Sequence, residues 1–135
     1  MPFITKLGVV FTCTLLWLAA GSRDLSPAAA QTIDGAGEAL VSAISLTEIH
    51  RLLRRGEIAL PATRRTVDRW FRRVLERHHL ACEPVTAEIA HRAELLPWHH
   101  RDPADRFILA TAVYRKGTVV SPDRVFRDYP VKTLW

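Results

Sequence analysis

The sequence predicts an α/β fold, a three-layer α/β/α domain in which helices cover both faces of a mainly parallel central sheet. Short β-branched or apolar runs alternate along the chain with longer segments whose apolar residues recur at helical spacing. The chain has 135 residues, 48% of them hydrophobic, which is enough for one domain with its own core. We therefore expect a single domain over residues 1–135 with no internal linker.

The first strand and helix are predicted in an uncharged stretch, Leu7 to Gly21, that allows two interpretations. A short apolar run after Lys6 that ends in small residues also fits an export signal. The run changes character internally, because "LGVVFTCT" is β-branched and aromatic whereas "LLWLAAG" has a helical composition that ends in glycine. This change favours a buried strand and helix, and the run is shorter than the about 20 residues of a membrane-spanning helix.

The middle of the chain predicts a second strand and two helices. The run "ALVSAIS", Ala39 to Ser45, suits a buried strand and passes into "LTEIHRLLRRG", a helical pattern that Gly56 ends. A further helix is predicted from Thr63 in "TRRTVDRWFRRVLERHH", with arginines on its outer faces. Its apolar stripe should pack on the core and consists of Val67, Trp70, Phe71, Val74 and Leu75.

The last third predicts three strands and two helices. "LACEPVT" reads as a strand, and Thr86 caps the following helix "AEIAHRAELL". Asp102 is a natural N-cap, and Pro103 suits the first position of a long apolar helix that Gly117 ends. "TVVSPD" and the terminal "VKTLW" are the last predicted strands.

Charge and cysteine content narrow the classes of function only loosely. The net charge of +5 comes almost wholly from arginine, which suits nucleic acid or an acidic protein partner, but also an ordinary soluble surface. Two cysteines, Cys13 and Cys82, are too few for a disulfide framework or a zinc site, so we expect both to be small buried hydrophobic residues.

Carboxylates follow the predicted strands, at the edge of the sheet where α/β proteins bind ligands. They are Glu48, Asp105 and Asp123, with Asp102 as a fourth candidate. Converging carboxylates form an oxygen site suited to Mg²⁺ or Mn²⁺. Each also has a structural alternative: a capping box from Ser45 to Glu48, helix N-terminal positions for Asp102 and Asp105, and a turn at Asp123.

The adjacent histidines contribute little to this expectation. His78 and His79 form one pair, and His99 and His100 form another. Because neighbouring residues rarely point at one ion, we do not expect either pair to bind a metal.

Four segments together resemble the successive motifs of PIN-domain toxins of the VapC type: "LVSAISLTEI", "HHRDPADRFILATA", "VVSPD" and "VKTLW". The resemblance runs from about Val9 to Trp135. It implies a parallel sheet between helices, Mg²⁺-dependent ribonuclease activity, an antitoxin partner and a homodimer. It also implies that Glu48, Asp105 and Asp123 are the metal-binding and catalytic acids, and that Asp102 is the extra acid of the "DPADR" subgroup. The opening run then becomes a central strand, so we expect a cytoplasmic protein without a membrane segment.

One position departs from the family pattern. The first metal-binding aspartate of the family falls on Phe11, although Thr12 and the neighbouring "LLWL" fit. A phenyl ring cannot bind Mg²⁺, so we expect impaired activity. The alternatives are an inactive PIN-fold module that binds antitoxin or RNA and, from a different class, an exported small protein.

Overall fold

The computed structural model describes residues 7–35 and 38–135, and its strands form one parallel sheet. The strands are β1 Leu7–Val10, β2 Glu38–Ser42, β3 Ala81–Glu83, β4 Thr118–Val120 and β5 Lys132–Leu134, in the spatial order β3-β2-β1-β4-β5. The helices are α1 Thr12–Ala20, α2 Pro27–Gly35, α3 Ile44–Arg54, α4 Val67–Arg77, α5 Ala87–Leu95 and α6 Pro103–Arg115. A short 3-10 helix, Arg124–Asp128, precedes β5.

The stretch that also fitted an export signal forms the centre of the sheet. β1 pairs with β2 on one side and β4 on the other, so that Val9 lies opposite Leu40 and Val119. Gly21 has a φ of 62° and ends α1, as its position in the sequence predicted. Removal of this stretch would take away the central strand. Lys6, the positive start of the signal interpretation, lies outside the described residues.

Two apolar clusters, one on each face of the sheet, confirm the three-layer architecture. Val10 packs with α1, α2 and α4, where the predicted stripe from Val67 to Leu75 is buried. Val9, the next residue along the strand, faces the opposite cluster with Ile108 of α6 and Phe126. Alternation along β1 thus sends successive side chains into different cores, as expected for a central strand.

Several predicted boundaries are wrong, because tertiary contacts outweigh local β-propensity. The first strand ends at Val10, and Thr12 already begins α1. The Thr14 hydroxyl donates to the Val120 carbonyl at 2.8 Å, which ties the start of α1 to β4. The second strand ends at Ser42 instead of Ser45.

The helix α2 was not predicted, although the sequence carries a start signal for it. The Ser26 hydroxyl accepts a hydrogen bond from the Ala29 amide at 3.0 Å, and Pro27 opens the helix. The helix α4 begins at Val67, later than predicted, because Thr63 and Thr66 form a turn in which the Thr66 hydroxyl accepts from the Thr63 amide.

The end of α6 assigns different roles to Lys116 and Gly117. Lys116 takes the left-handed conformation with a φ of 55°. A Cβ at Gly117 would lie 2.8 Å from Cγ2 of Val9 and 3.2 Å from the Leu7 carbonyl oxygen. Glycine is therefore needed at position 117 for the close approach of α6 to β1, and not for its backbone conformation.

The cysteines are less buried than predicted. Cys82 is exposed, because it lies on β3, a short strand at the edge of the sheet, and Cys13 is half-buried at the start of α1. Over residues 7–35 and 38–135, none of the helices has the length and apolar character needed to cross a membrane.

Candidate functional site

The predicted acids lie at the carboxyl end of the sheet, where the residues after β1 and β2 meet. The Thr12 hydroxyl donates to Oε1 of Glu48 at 2.5 Å and lies 2.9 Å from the Ser45 hydroxyl. Because the Thr12 hydrogen goes to Glu48, Ser45 donates to Thr12. These buried contacts connect the first turns of α1 and α3 and fix the orientation of the Glu48 carboxylate.

Glu48 is a buried acid in a cluster of like charges. Its exposed fraction is 8%, and burial raises its pKa above the ordinary glutamate value. The Thr12 hydrogen bond opposes this shift, while the charges of Asp105 and Asp102 add to it. The capping-box alternative is wrong, because α3 begins at Ile44 and its N-cap is Ala43, so Ser45 lies inside the helix.

Asp102 caps α6, as its position predicted. Its Oδ1 accepts from the amides of Ala104 at 2.9 Å and Asp105 at 3.3 Å. Its Oδ2 lies 3.9 Å from Nη2 of Arg51. Capping α6 thus uses Oδ1 of Asp102 and leaves Oδ2 on the side of Arg51 and the other acids.

Asp105 lies in the first turn of α6 against a histidine. Its Oδ2 is 2.6 Å from Nε2 of His100, and burial raises its pKa, opposed by the His100 hydrogen bond. One ligand-type atom from each of His100, Asp102 and Asp105 lies within 4.8 Å of the other two. His100 therefore belongs to this group, which the sequence analysis did not expect.

Asp123 lies further out on the same side. Its Oδ1 accepts from the Val125 amide at 3.1 Å and so caps the 3-10 helix, which is the turn role foreseen as an alternative. Asp123 is exposed, but its negative charge still contributes to the raised pKa of Asp105. Asp123 is therefore close enough to act on the cluster electrostatically.

Arg51 is a cation of the site that sequence reasoning missed. Its Nη2 lies 3.5 Å from Oε2 of Glu48 and 3.9 Å from Oδ2 of Asp102. The spacing of three residues between Glu48 and Arg51 on a predicted helix was the available signal, since such residues are neighbours on a helix surface. Arg51 partly compensates the negative charge of the two acids.

Phe11 lies at the end of β1, next to Thr12, but its ring is part of the core. It is 3% exposed and stacks on Phe126, with ring centroids 4.4 Å apart and planes 29° apart. The ring of His100 meets Phe126 edge-on at 5.7 Å and 82°. Position 11 is thus linked to the acid cluster through two aromatic contacts.

Arg106, the arginine of the "DPADR" segment, holds the loop that carries His100. It is 3% exposed, and its guanidinium donates to four backbone carbonyls in the last turn of α5 and in the loop before α6. They belong to Ala93, Leu96, Pro97 and His100. The exposed Trp98 ring lies on the same guanidinium, 3.6 Å from its central carbon.

The donor set fits a hard divalent cation. Carboxylate oxygens of Asp102 and Asp105 lie together with an imidazole nitrogen, and Glu48 is near enough for their charges to act on it. Mg²⁺ and Mn²⁺ favour carboxylate oxygen. These acids repel one another, and a bound cation would offset that repulsion.

Comparisons with known proteins agree with this geometry. A family model described as "PIN domain" matches residues 9–132. Ribonuclease VapC22 from Mycobacterium tuberculosis is 36% identical over 124 residues, which cover 88% of this chain and 91% of that protein. The parallel sheet with acids at its carboxyl end is that of an α/β protein, and the family model and this relative show that the chain belongs to the PIN-domain family, within which it is of the VapC type. This confirms the resemblance seen in the sequence motifs.

Solved structures show the same fold at low sequence identity. The VapBC2 complex from Rickettsia felis, bound to a promoter DNA fragment, has a TM-score of 0.70 at 13% identity, over 96% of this chain and 98% of that one. A toxin–antitoxin complex from Klebsiella pneumoniae has a TM-score of 0.64 at 17% identity, over 95% and 96%. FitAB bound to an IR36 DNA fragment has a TM-score of 0.58 at 15% identity, over 94% and 93%.

Proposed function

We propose that the protein is the ribonuclease toxin of a type II toxin–antitoxin system, which hydrolyses phosphodiester bonds in RNA with the help of Mg²⁺ or Mn²⁺. The observation that carries the proposal is the cluster of acids at the carboxyl end of the sheet, with Glu48 buried and Asp102 and Asp105 half-buried, in a chain similar to a known ribonuclease. The proposed metal-binding and catalytic residues are Glu48, Asp105 and Asp123, with Asp102 as a fourth ligand.

The protein's own side chains have distinct roles in this proposal. When bound, the cation supplies Lewis acidity and an activated water for attack on the scissile phosphate. Thr12 holds the Glu48 carboxylate in one orientation through its 2.5 Å hydrogen bond. Arg51 lies between Glu48 and Asp102 and offers a guanidinium to the charge that develops on the phosphate oxygens.

We propose that Phe11 weakens this activity. Its ring occupies the end of β1, where the family pattern has an acid, and it stacks on Phe126 instead of facing a cation. The site thereby has one carboxylate fewer to balance a divalent charge. An inactive module that still binds antitoxin or RNA is the second candidate, and the burial of the Phe11 ring in the core is the observation that favours it.

An antitoxin is the proposed protein partner, as in the Rickettsia felis and Klebsiella pneumoniae complexes. A groove of about 730 Å³ between α1, α4 and the loop before α4 supports this proposal. Apolar residues such as Leu16 and Trp70 line it, and Arg73 and Arg77 lie at its sides. Such a surface suits an amphipathic segment with acidic residues.

Self-association and a cytoplasmic location complete the proposal. Leu95 and Trp98 are 71% and 60% exposed near the α5–α6 loop, which supports a contact surface for a homodimer. RNA as substrate and a partner that binds DNA both imply the cytoplasm, where the proposed antitoxin would be made.

The test compares RNA cleavage by the purified protein with Mg²⁺, with Mn²⁺ and with EDTA, alongside Asp105→Asn and the control Asp24→Asn. Asp24 is an exposed acid after α1 and lies outside the cluster. Cleavage that requires the cation and Asp105, but not Asp24, supports the ribonuclease. No cleavage at any cation concentration, with an antitoxin still co-purified, supports the inactive module.

A further inference from the structure

We propose that His100 supplies a nitrogen ligand to the bound cation, so that His100, Asp102 and Asp105 form a mixed nitrogen–oxygen site that prefers Mn²⁺ to Mg²⁺. This inference deepens the proposed function and rests on it in one respect only, the presence of a divalent cation at the acid cluster. It adds His100 to the acids that the family pattern supplies as ligands, and it names Mn²⁺ as the preferred ion.

The three donor atoms already lie close enough for one ion. Nε2 of His100 is 2.6 Å from Oδ2 of Asp105, and the group of three spans at most 4.8 Å. Two ligand atoms on one Mg²⁺-sized ion lie about 3 to 4.2 Å apart, given bonds of about 2.1 Å. Small side-chain displacements would therefore allow His100, Asp102 and Asp105 to hold one ion.

The imidazole is held in place from two sides. Its ring rests edge-on against Phe126, and its backbone carbonyl accepts from Nη1 of Arg106 at 3.3 Å. The neighbouring ring of His99 turns away to contact Tyr129, with centroids 5.4 Å apart. The two histidines thus diverge, as expected for neighbours, and only His100 is aimed at the acids.

The other acids are engaged elsewhere, which leaves Asp105 and His100 as the pair most available to a cation. Glu48 accepts from Thr12 and lies near Arg51, while one oxygen of Asp102 caps α6. Among the hydrogen bonds of the described residues, the Asp105 carboxylate has His100 as its partner. A cation between them would replace this hydrogen bond with two metal bonds.

Position 11 explains why nitrogen becomes useful at this site. Phe11 takes away one oxygen ligand at the end of β1, and it stacks beneath Phe126, the ring that supports His100. Asp102 and Asp105 carry two negative charges, which balance one divalent cation, and a neutral imidazole adds a ligand without further charge. Mn²⁺, as a transition ion, accepts an imidazole nitrogen beside carboxylate oxygens, whereas Mg²⁺ is bound through oxygen.

Metal binding through Nε2 fixes the tautomer of the ring. Nε2 can donate to Asp105 only when it carries a hydrogen, whereas a nitrogen that binds a metal must present its lone pair. A neutral ring that binds a cation through Nε2 would carry its hydrogen on Nδ1.

The test measures Mn²⁺ and Mg²⁺ affinity by titration calorimetry on the full chain without RNA. We expect the wild type to bind Mn²⁺ at least about tenfold more tightly than Mg²⁺ and His100→Ala to lose that preference, since even the loss of a group that only orients a metal ligand commonly costs tenfold or more in affinity. His91→Ala is the matched control, because His91 is an exposed histidine on α5. Circular dichroism checks that each variant is folded.

A measurement on the unsubstituted protein keeps the inference falsifiable if His100→Ala does not fold. The electron spin echo of bound Mn²⁺ should show modulation from a coordinated imidazole nitrogen. Absence of that modulation, equal Mn²⁺ affinity in His100→Ala, or no binding of either ion would overturn the inference. Mn²⁺ binding through His100 without RNA cleavage would instead leave the site intact and refute the ribonuclease.

Discussion

Phe11 stacks on Phe126 at 4.4 Å, and Phe126 in turn supports the ring of His100, which contacts Asp105. The residue that departs from the family pattern is therefore connected to the acid cluster through packing. Its backbone still ends β1 beside Thr12, so the framework of the site remains in place. Under the proposed function, this arrangement is a nuclease scaffold in which one metal ligand is replaced.

Thr12→Val should lower the free energy of unfolding by about 1 to 3 kcal/mol, because it leaves the buried Glu48 carboxylate without its hydroxyl donor. Urea denaturation measures the change. Thr47→Val is the control, because Thr47 is exposed on α3, the helix that carries Glu48. Equal stability of the Thr12 variant and the wild type would show that the 2.5 Å hydrogen bond contributes nothing net.

Gly117→Ala should destabilise the protein by about 1 to 3 kcal/mol, as expected for overpacking. The added Cβ would lie 2.8 Å from Val9 in the central strand. Gly35→Ala is the matched control, since a Cβ at Gly35 meets no atom within 4 Å. A thermal melt of both variants distinguishes them, and an unchanged Gly117→Ala protein would contradict the described packing of α6 on β1.

Arg106→Lys should destabilise the protein by at least about 3 kcal/mol, because an ammonium cannot donate in the fork geometry that serves four carbonyls. The change also frees the loop that carries His100, so Mn²⁺ affinity should fall with stability. Arg101→Lys, at an exposed position in that loop, is the control. Similar unfolding curves for the two variants would refute the anchoring role of Arg106.

Glu48→Gln should become relatively more stable than the wild type as pH rises in EDTA. Burial raises the folded-state pKa of Glu48 above its unfolded value, so the native state holds this proton more tightly. The resulting stability is present below the unfolded pKa and is lost as pH rises through the folded pKa. Urea denaturation from mildly acidic to neutral pH tests this, with exposed Glu57→Gln as control. A difference in stability that does not change with pH would contradict the raised pKa.

Local chemistry made much of the fold predictable. Thr86 and Asp102 cap their helices as their sequence positions indicated, and Gly21 ends α1. The placement of the acids at one edge also followed from local patterns, since parallel strands bring their carboxyl ends together. These features depend on residues within a few positions of one another.

Contacts between distant segments could not be predicted from the sequence. Thr12 and Glu48 are 36 residues apart, so no local pattern shows that one orients the other. The direction of the His100 ring depends on Phe126 and on the Arg106 anchor, which only the folded chain brings together. The true end of β1 was missed for the same reason, because hydroxyl contacts of Thr12 and Thr14 decide it.

Phe11→Asp tests most directly whether the scaffold lacks one ligand. RNA cleavage with Mg²⁺ would be compared among the wild type, Phe11→Asp and Phe11→Asn, which matches the aspartate in shape but carries no charge. We predict a gain of at least about tenfold for Phe11→Asp alone, equivalent to about 1.4 kcal/mol of transition-state stabilisation. Equal cleavage by folded wild type and Phe11→Asp would contradict the account, because position 11 would then not be the site of the missing ligand.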